Sequence, residues 1–472
     1  MKTLLKHLAV LLLCGGALTA APVKTNVVLI LVDDYGWTDL SCFGSELYQT
    51  PNIDQLARDG MKFTQSYSAC TVCSPTRAAL LTGKYPARLH VTDWIPGLPP
   101  ENPKLLVPDW TKYLPLQEVN IARALKSAGY ATASIGKWHL GGPEYWPDKQ
   151  GFDINLGGTE APNPKSYFAP YHIATLPDGP EGEYLTDRLG DEALRYIEKN
   201  KDNPFFLYLP HFAVHLPVQG KKAIAAKYRA KIHAGMSQTN AMYAAMIESM
   251  DDTVGRVRRK LDELKLTDHT LIIFASDNGG RVPTTSNKPL RDGKGSCHEG
   301  GVRVPLIIAW PGVTKGGSVC ETPVISMDYY PTILDVLGVK DVTHQTLDGV
   351  SLAPLLRQSG GWKRDALFWH YPHYQHYQLG GTTPYSAVRA GDFKLIEYLD
   401  DKPLELYNLK NDIGEQHNLV AQMPDKVKEL QTRLHDWRKE VGAQMPTANP
   451  AYDPTKPEHD AAVNKWKNKK AE

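Results

Sequence analysis

The chain has 472 residues, which at about 150 residues per domain allows two or three domains and a large buried core. Hydrophobic residues make up 42% and charged residues 22%, and the 38 glycines and 35 prolines indicate many loops rather than disorder. Lys and Arg together number 53 and Asp and Glu 52, a net charge of +1. Because this balance leaves no global basic field, we expect no nucleic-acid partner.

The first twenty residues have the pattern of a secretory signal peptide. Lys2 and Lys6 precede the apolar run 8–13, and small residues follow at 17–21. The apolar run is shorter than the roughly 20 residues of a membrane span, so we expect no membrane contact after cleavage. Cys14 allows a lipoprotein as the alternative. We predict a periplasmic or secreted protein, and the lack of an Asn-x-Ser/Thr sequon favours a bacterial source.

Four short apolar runs have the composition of strands that are buried on both faces. The runs are 27–32, 130–135, 205–209 and 271–276. Continuous apolar runs bounded by Gly, Pro or Asp are typical of parallel sheets. Helical patterns separate them at 119–128, 185–198 and 241–264. This alternation predicts an α/β fold with a large, open, mostly parallel central sheet sandwiched by helices.

Polar side chains follow each of these runs directly. Asp33 and Asp34 follow the first run, Asp277 and Asn278 follow the last, and histidines follow the other two. Since open α/β sheets bind ligands at the carboxyl ends of their strands, we expect these side chains to converge. One Asp-Asp pair could equally form a turn or a helix cap. Two pairs at equivalent positions favour a site for Ca²⁺, or Mg²⁺, because these cations prefer oxygen ligands.

Five cysteines remain after the signal peptide. They are Cys42, Cys70, Cys73, Cys297 and Cys320. Cys70 and Cys73 form a C-x-x-C pair, which allows a redox site or a small disulfide. The other possible pairings stay open, because sequence alone does not select among them.

The segment 73–86 predicts a short helix with an unusual first residue. Pro75 in the first turn and Gly83 after the last one mark its ends. Cys73 then lies at the helix N-terminus, where the dipole and the free amides favour an anion. Arg77 lies one turn later and projects from the same helix.

The core Cys73-Ser-Pro-Thr-Arg77 resembles the C-x-P-x-R signature of the type I sulfatases, whose cysteine is oxidised after translation to formylglycine. A second family signature matches 129–139, and the resemblance spans about 25–445. Further motifs follow in the family's order at 33–34, 50–54, 215–217, 277–280, 293–295 and 299–303. The resemblance implies an alkaline-phosphatase-like fold and hydrolysis of sulfate monoesters, and it makes a redox role of Cys73 unfavourable. It looks closest to bacterial carbohydrate sulfatases and arylsulfatases.

The resemblance also implies a metal site and a modified residue. A divalent cation, Ca²⁺ or Mg²⁺, would be held by the family's ligand positions: Asp33, Asp34, Cys73 as formylglycine, Asp277 and Asn278. A formylglycine-generating maturation enzyme would then be a necessary partner of this chain.

Catalytic roles are likewise implied by the matching positions. Hydrated formylglycine at residue 73 would supply a nucleophilic hydroxyl, which Arg77 would hold. Lys137 and Lys294 would bind sulfate oxygens. His215 would protonate the leaving alcohol, and His139 would remove a proton from the second hydroxyl to release sulfate, since histidine titrates near working pH.

The chain divides into four predicted regions: a signal peptide at 1–20, a catalytic domain at 22–360, a C-terminal subdomain at 361–445 and a polar tail at 446–472. Short strand patterns at 366–369, 386–389, 394–398 and 405–407 precede a helical pattern at 426–441. These patterns predict a smaller antiparallel sheet plus a helix, as in the family's C-terminal subdomain.

Residues 370–377 contain three histidines, three tyrosines and a glutamine, which suit sugar hydroxyls. We expect substrate binding by a group of residues on the alcohol side: His90, Asp93, Trp94, His370 and His373. A tyrosine-rich edge that packs on the first domain is the alternative.

Three functions remain open at this stage. The sequence favours hydrolysis of a sulfated carbohydrate or an aryl sulfate. A phosphatase or phosphonate monoester hydrolase of the same superfamily is the second possibility. The third is a non-enzymatic protein that binds sulfated glycans and keeps Cys73 unmodified.

Overall fold

The computed structural model describes residues 24–98, 100–340, 345–375 and 382–456. The predicted signal peptide, residues 376 and 377 of the His-Tyr segment, and the tail from 457 lie outside this part of the chain. The strands are β1 (Asn26–Val32), β2 (Met61–Phe63), β3 (Ser66–Tyr67), β4 (Leu105–Leu106), β5 (Ala131–Ile135), β6 (Ile154–Leu156), β7 (Phe205–Pro210), β8 (Thr270–Ser276), β9 (Leu306–Ala309), β10 (Ser318–Cys320), β11 (Val324–Ile325), β12 (Leu367–Tyr371), β13 (Tyr385–Ala390), β14 (Phe393–Tyr398), β15 (Glu405–Asn408) and β16 (Thr447–Ala448). The α-helices are α1 (Pro51–Asp59), α2 (Cys73–Thr82), α3 (Pro86–Leu89), α4 (Ile121–Ser127), α5 (Leu185–Lys199), α6 (Lys222–Arg229), α7 (Ala241–Glu263), α8 (Glu299–Val302), α9 (Tyr329–Leu337), α10 (Ala353–Leu356) and α11 (Pro424–Glu440).

The main sheet has the strand order β10-β2-β9-β8-β1-β7-β5-β6. The four predicted strands form its adjacent centre, β8-β1-β7-β5, and all three pairings between them are parallel. Leu29 of β1, for example, pairs with Tyr208 of β7 and with Ile273 of β8. The prediction of a mostly parallel central sheet is confirmed.

Both faces of this sheet are covered by helices. Side chains of β1 alternate between two apolar clusters: Val28 and Ile30 lie in the cluster with α1, α5 and α7, and Val27 and Leu29 in the cluster with α2, α4 and α9. Every residue of β1 is buried. Strands covered on both faces need no polar alternation, which is why these runs are continuously apolar.

A separate four-stranded antiparallel sheet, β12-β13-β14-β15, follows in the chain and packs with α11. Its apolar cluster includes Ala79 of α2, so α2 lies between the two sheets. This arrangement confirms the predicted smaller sheet-plus-helix subdomain. Within the described ranges, no helix combines the length and the apolar character that crossing a membrane requires.

Candidate active site

Helix α2 places Cys73 in the interior, at the carboxyl edge of the main sheet. All ten residues of α2 are buried, including Cys73 and Arg77. Gly83 ends the helix in the left-handed region, with φ of 73°, and its N–H bonds to the carbonyl of Ala79. The helix therefore begins and ends where its proline and glycine predict.

The carboxylates converge because β1 and β8 are neighbours in register. Val32 pairs with Ser276, so the residues that follow each strand, 33–34 and 277–278, leave the sheet side by side. The backbone N–H of Asp34 donates to Oδ1 of Asp277 at 3.2 Å. The predicted convergence of polar residues at one sheet edge is thus confirmed for the two pairs that follow β1 and β8.

Each of the three carboxylates faces a cation. Nζ of Lys137 lies 2.5 Å from Oδ2 of Asp33, and Nζ of Lys294 lies 2.6 Å from Oδ1 of Asp34. Nε and Nη2 of Arg77 donate to Oδ2 of Asp277 at 3.0 and 2.8 Å. Because all six side chains are buried, the pairing is what makes their charges tolerable in the interior.

Cys73 lies between the charged groups. Nζ of Lys294 is 3.4 Å from its Sγ, and Sγ is 3.5 Å from Oδ1 of Asp33. Burial, and then the charge of Asp33, raise the pKa of this thiol well above its usual range, although Lys137 and Lys294 act in the opposite direction. An unmodified Cys73 would therefore be a poor nucleophile at neutral pH.

Burial and charge also shift the carboxylates. Burial opposes ionisation of Asp34, but the charge of Lys294, with the hydrogen bonds from Lys294 and Asn278, outweighs it and holds its pKa well below the usual range. Burial, reinforced by the charge of Asp33, raises the pKa of Asp277 to about 6, even though Arg77 lowers it.

The two predicted catalytic histidines have defined tautomers. Nε2 of His139 is 2.5 Å from the carbonyl oxygen of Ile95, so it carries the proton, and the buried Nδ1 has no hydrogen-bond partner. Nδ1 of His215 donates to the carbonyl of Leu216 at 3.1 Å, which leaves Nε2 facing Oδ2 of Asp34 at 3.6 Å. Burial is the largest cause that lowers the pKa of both rings, and it keeps them neutral.

The donor atoms in this cluster fit a hard divalent cation. Oδ2 of Asp34 and Oδ1 of Asn278 are buried and make no hydrogen bond. Donor atoms of Asp33, Asp34, Cys73 and His215 all lie within 4.8 Å of one another. Buried oxygen acceptors without donors are costly unless something positive satisfies them, so the residues fit Ca²⁺ or Mg²⁺.

Two of the five predicted substrate residues line a cavity of about 330 Å³. They are Asp93 and His373, and the cavity is also lined by Trp110, Lys112 and Tyr374. Sequence reasoning missed Trp110 and Lys112. They lie in the proline-rich segment 96–115, which has no periodic pattern, and only its isolated tryptophan could have drawn attention.

The other three predicted substrate residues make intramolecular contacts. Both ring nitrogens of His370 are engaged: Nδ1 with Oγ of Ser386 and Nε2 with the carbonyl of Gln444, each at 2.8 Å. Nε2 of His90 bonds to the carbonyl of Gly442 at 3.0 Å. Trp94 is half-buried, and its N–H donates to Asp93. His370 therefore occupies a structural position, closer to the alternative of a packed edge.

All five cysteines after the signal peptide are free thiols, so the structure contains no disulfide between Cys70 and Cys73. Both thiols are buried, and burial raises the pKa of Cys70 to about 12. These properties are the opposite of those of a reactive dithiol, which needs an accessible thiolate.

The fold is α/β, with a buried cluster of paired charges around Cys73 at the carboxyl edge of the main sheet. Comparison with known proteins agrees. The Sulfatase family model matches residues 25–339, and the model for the C-terminal part of N-sulphoglucosamine sulphohydrolase matches 293–442. A sulfatase of Formosa agariphila is 35% identical over 495 aligned positions, covering 88% of each chain.

Two further relatives show the same likeness. The N-acetylgalactosamine-6-sulfatase of Homo sapiens is 33% identical, covering 73% of this chain and 68% of its own. The crystal structure of Ps i-CgsB in complex with k-i-k-neocarrahexaose has a TM-score of 0.75 and 29% identity, covering 92% of this chain and 96% of that one. The chain belongs to the sulfatase family, and it is a sulfatase. This excludes the non-enzymatic glycan-binding alternative.

Proposed function

We propose that this sulfatase hydrolyses sulfate esters of a carbohydrate and releases inorganic sulfate, with formylglycine made from Cys73 and a bound divalent cation. The observation that carries the proposal is the position of Cys73 at the start of α2, with Sγ between Nζ of Lys294 and Oδ1 of Asp33. The solved relative that binds a carrahexaose and the relatives named for N-acetylgalactosamine 6-sulfate support a sugar substrate.

Two groups supply the chemistry that the unmodified chain lacks. Hydrated formylglycine at residue 73 supplies a nucleophilic hydroxyl in place of a protonated thiol. A Ca²⁺ or Mg²⁺ ion held by Asp33, Asp34, Asp277 and Asn278 supplies positive charge that makes such a hydroxyl more acidic.

Arg77, Lys137 and Lys294 orient the reactants and stabilise negative charge. Arg77 is fixed by Asp277 and by the carbonyl of Lys137, which accepts from Nη1 at 3.0 Å, so its guanidinium is preorganised beside residue 73. Lys294 reaches residue 73 and Asp34 at once, where an oxygen of the sulfate group would lie. Preorganised donors of this kind are usually the largest contribution to catalysis.

The two histidines hold and move protons. His139 has its proton on Nε2, bound to Ile95, so its bare Nδ1 can act as a base. His215 presents Nε2 to the site, and a bound sulfate anion favours the protonated ring, which can then donate to the leaving alcohol. In this proposal His139 is the base and His215 is the acid.

The same proposal includes the chain's processing. A maturation enzyme, acting with an external oxidant, converts the Cys73 thiol to the aldehyde with loss of its sulfur before folding buries it. Residues 1–20 direct export to the periplasm or outside the cell and are removed in the process. The catalytic domain extends over 22–360, the C-terminal subdomain over 361–445 and the tail over 446–472.

The first test is the mass of the peptide that carries Cys73, from protein purified from its natural host, together with the variant Cys73→Ala. We expect formylglycine at position 73 and loss of at least about 1,000-fold in kcat for 4-nitrophenyl sulfate in the variant, because the nucleophile is gone. Cys42→Ala is the matched control, since Cys42 lies outside the cluster. An unmodified thiol in active, mature protein would contradict the mechanism.

Sulfate, phosphate and phosphonate esters of one phenol distinguish a sulfatase from the remaining alternative, a phosphatase or phosphonate monoester hydrolase. A phosphate monoester carries one more negative charge than a sulfate monoester, so a phosphatase would prefer the phosphate ester. A phosphonate monoester carries the same single charge as a sulfate monoester, so a phosphonate monoester hydrolase is recognised by faster cleavage of the phosphonate ester. We expect kcat/KM to favour 4-nitrophenyl sulfate over 4-nitrophenyl phosphate and over phenyl phosphonate esters.

A further inference from the structure

Most of the residues that line the cavity of about 330 Å³ belong to one loop, which is hydrogen-bonded to His139 and to its neighbour Leu140. We call residues 93–98 and 100–114 the cavity loop. Near its start, the carbonyl of Ile95 binds Nε2 of His139, and at its end the N–H of Leu114 donates to the carbonyl of Leu140 at 3.0 Å. Ile95 lies between Asp93 and Pro96, which both line the cavity, so the wall of the cavity is joined to His139 through a single residue.

Asp93 gives the cavity a fixed hydrogen-bond acceptor. Its Oδ1 accepts from the hydroxyl of Tyr371 at 2.6 Å and from the N–H of Trp94 at 2.8 Å. Its Oδ2 lies 4.0 Å from Nδ1 of His373, beyond hydrogen-bond distance, and next to Gly97, which lines the cavity. One oxygen positions the carboxylate, and the other is left for a ligand.

Trp110 provides an apolar wall beside this acceptor. Its ring packs edge-on against His373, with centroids 5.4 Å apart and planes at 70°. A Cβ at residue 97 would lie 2.9 Å from Cζ2 of Trp110, so the ring rests directly on Gly97, whose φ is 77°. A carboxylate beside a flat aromatic wall is a combination that binds hydroxyls together with the C–H face of a ring.

The charge of the cavity differs from that of the reaction centre. Its charged side chains are Asp93, Asp109 and Lys112, of which only Lys112 is positive. Lys112 is exposed, and its Nζ lies 5.4 Å from the centroid of the Trp110 ring. The buried charge that a ligand meets is therefore a carboxylate, which repels a second anionic group on the substrate.

We infer that this cavity selects the sugar ring that carries the sulfate ester, and that it selects a neutral ring whose hydroxyls donate to Asp93 and whose apolar face packs on Trp110. The inference rests on the proposed function and names its substrate class: sulfated neutral hexoses or N-acetylhexosamines, as opposed to sulfated uronic acids and disulfated sugars.

The test compares sugar and aryl esters in the mature enzyme. The substrates are galactose 6-sulfate, N-acetylgalactosamine 6-sulfate, glucosamine 2-N,6-O-disulfate, a 2-O-sulfated uronic acid and 4-nitrophenyl sulfate. The readout is the ratio of kcat/KM for each sugar to kcat/KM for the aryl ester, measured at pH 8. Burial, opposed by the bonds from Tyr371 and Trp94, raises the pKa of Asp93 to about 7, so the carboxylate is ionised at this pH.

We expect wild-type enzyme to prefer the best neutral sugar over both anionic ones by about tenfold or more. Asp93→Asn should lower the ratio of kcat/KM for the best neutral sugar about 10- to 100-fold, because a charged acceptor is lost. The same variant should reduce the difference in this ratio between neutral and anionic sugars. Trp110→Ala should lower the ratio about tenfold. The matched control is Asp268→Asn, which removes the same charge at an exposed position outside the cavity and should change the ratio less than twofold.

Gly97→Ala is a second variant that leaves every charge in place. Its added methyl group pushes on Trp110 and Asp93, so the ratio should fall again, and thermal unfolding checks that each variant is folded. An unchanged ratio in Asp93→Asn and Trp110→Ala, a parallel loss on sugar and aryl esters, or a wild-type preference for an anionic sugar would each overturn the inference. If wild-type protein cleaves 4-nitrophenyl sulfate, the proposed reaction stands even when the inference fails; if it cleaves no sulfate ester, both fail.

Discussion

Arg77 shows how much a single buried side chain can organise. It donates from Nε and Nη2 to Asp277 and from Nη1 to the carbonyl of Lys137, so one planar guanidinium links the loops that follow β8 and β5 to α2. A point charge on a flexible stem cannot reproduce these three bonds. The shape of the residue matters here as much as its charge.

The variant Arg77→Lys tests this conclusion. We expect kcat for 4-nitrophenyl sulfate to fall by about 100-fold or more, and the free energy of unfolding to drop by about 1–3 kcal/mol, because Asp277 loses two donors. Steady-state kinetics and urea unfolding provide the two measurements. Arg195→Lys on an exposed part of α5 is the control and should change neither quantity, and an equal loss in both variants would contradict the role given to the guanidinium.

The sequence identifies the residues of the candidate site better than it predicts which groups their side chains contact. Motif positions identify Cys73 and Arg77, and the structure brings them together with the carboxylates. His370 is different, because its role depends on the strand register that places Ser386 directly opposite it. No short-range pattern contains that register, so a histidine in a polar aromatic segment is easily taken for a ligand-binding residue.

At the scale of secondary-structure elements, the order of the strands in the main sheet decides which residues meet in the candidate active site. The four apolar runs predict the parallel centre because each is long enough and buried on both faces. The strands β2, β9 and β10, which extend the sheet, have only three or four residues each, and β9 runs antiparallel to both of its neighbours. Strands this short have no periodicity to detect, and only long-range pairing decides their place.

The segment that carries Lys294 is fastened to the C-terminal sheet through His298. Nδ1 of this buried ring lies 2.8 Å from Asp292, and Nε2 lies 2.9 Å from Glu405 of β15. Burial acts against the charged ring, but Cys297 and the bonds to both carboxylates raise the pKa of His298 to about 10. A pKa above the unfolded value of about 6.5 stabilises the fold fully below pH 6.5, and this stabilisation is lost as pH rises towards 10.

The variant His298→Gln should therefore destabilise in a pH-dependent manner. We expect the free energy of unfolding to fall by about 3–5 kcal/mol at pH 6 and by much less at pH 10. Urea unfolding at pH 6, 8 and 10 measures the difference. His269→Gln, at an exposed position, should give no such trend, and a constant difference for His298→Gln across this range would contradict the charged ring.

At the scale of the whole molecule, a buried network of ion pairs joins the C-terminal sheet to the main domain. Nζ of Lys394 in β14 lies 2.9 Å from Glu299 in α8 and 3.0 Å from Glu415, and all three side chains are fully buried. Glu299 also accepts from the hydroxyl of Tyr67 at 2.7 Å. The C-terminal subdomain is thus attached to the main domain by charges as well as by the apolar cluster around α2.

Removing the positive charge of Lys394 should destabilise the fold, because the carboxylates of Glu299 and Glu415 stay buried. We expect Lys394→Met to lower the free energy of unfolding by about 3–5 kcal/mol, since two buried carboxylates lose the cation that they share, although Glu299 keeps an ion pair with Arg303 at 3.4 Å. The double variant Lys394→Met/Glu415→Gln should recover part of that loss because one charge is removed. Urea unfolding measures both, with exposed Lys410→Met as the control, and a double variant less stable than the single one would contradict the explanation.

The attachment of the cavity loop has a consequence for how such enzymes diversify. The proposed reaction centre lies on strand ends and on α2, whereas the described part of the cavity loop lies outside the main sheet and is hydrogen-bonded to His139 near its start and to Leu140 at its end. Substitutions between these two points can accumulate without disturbing the sheet, as loops on a rigid scaffold generally allow. Exchanging residues 96–113 between relatives is therefore a direct route to new selectivity on an unchanged chemical apparatus.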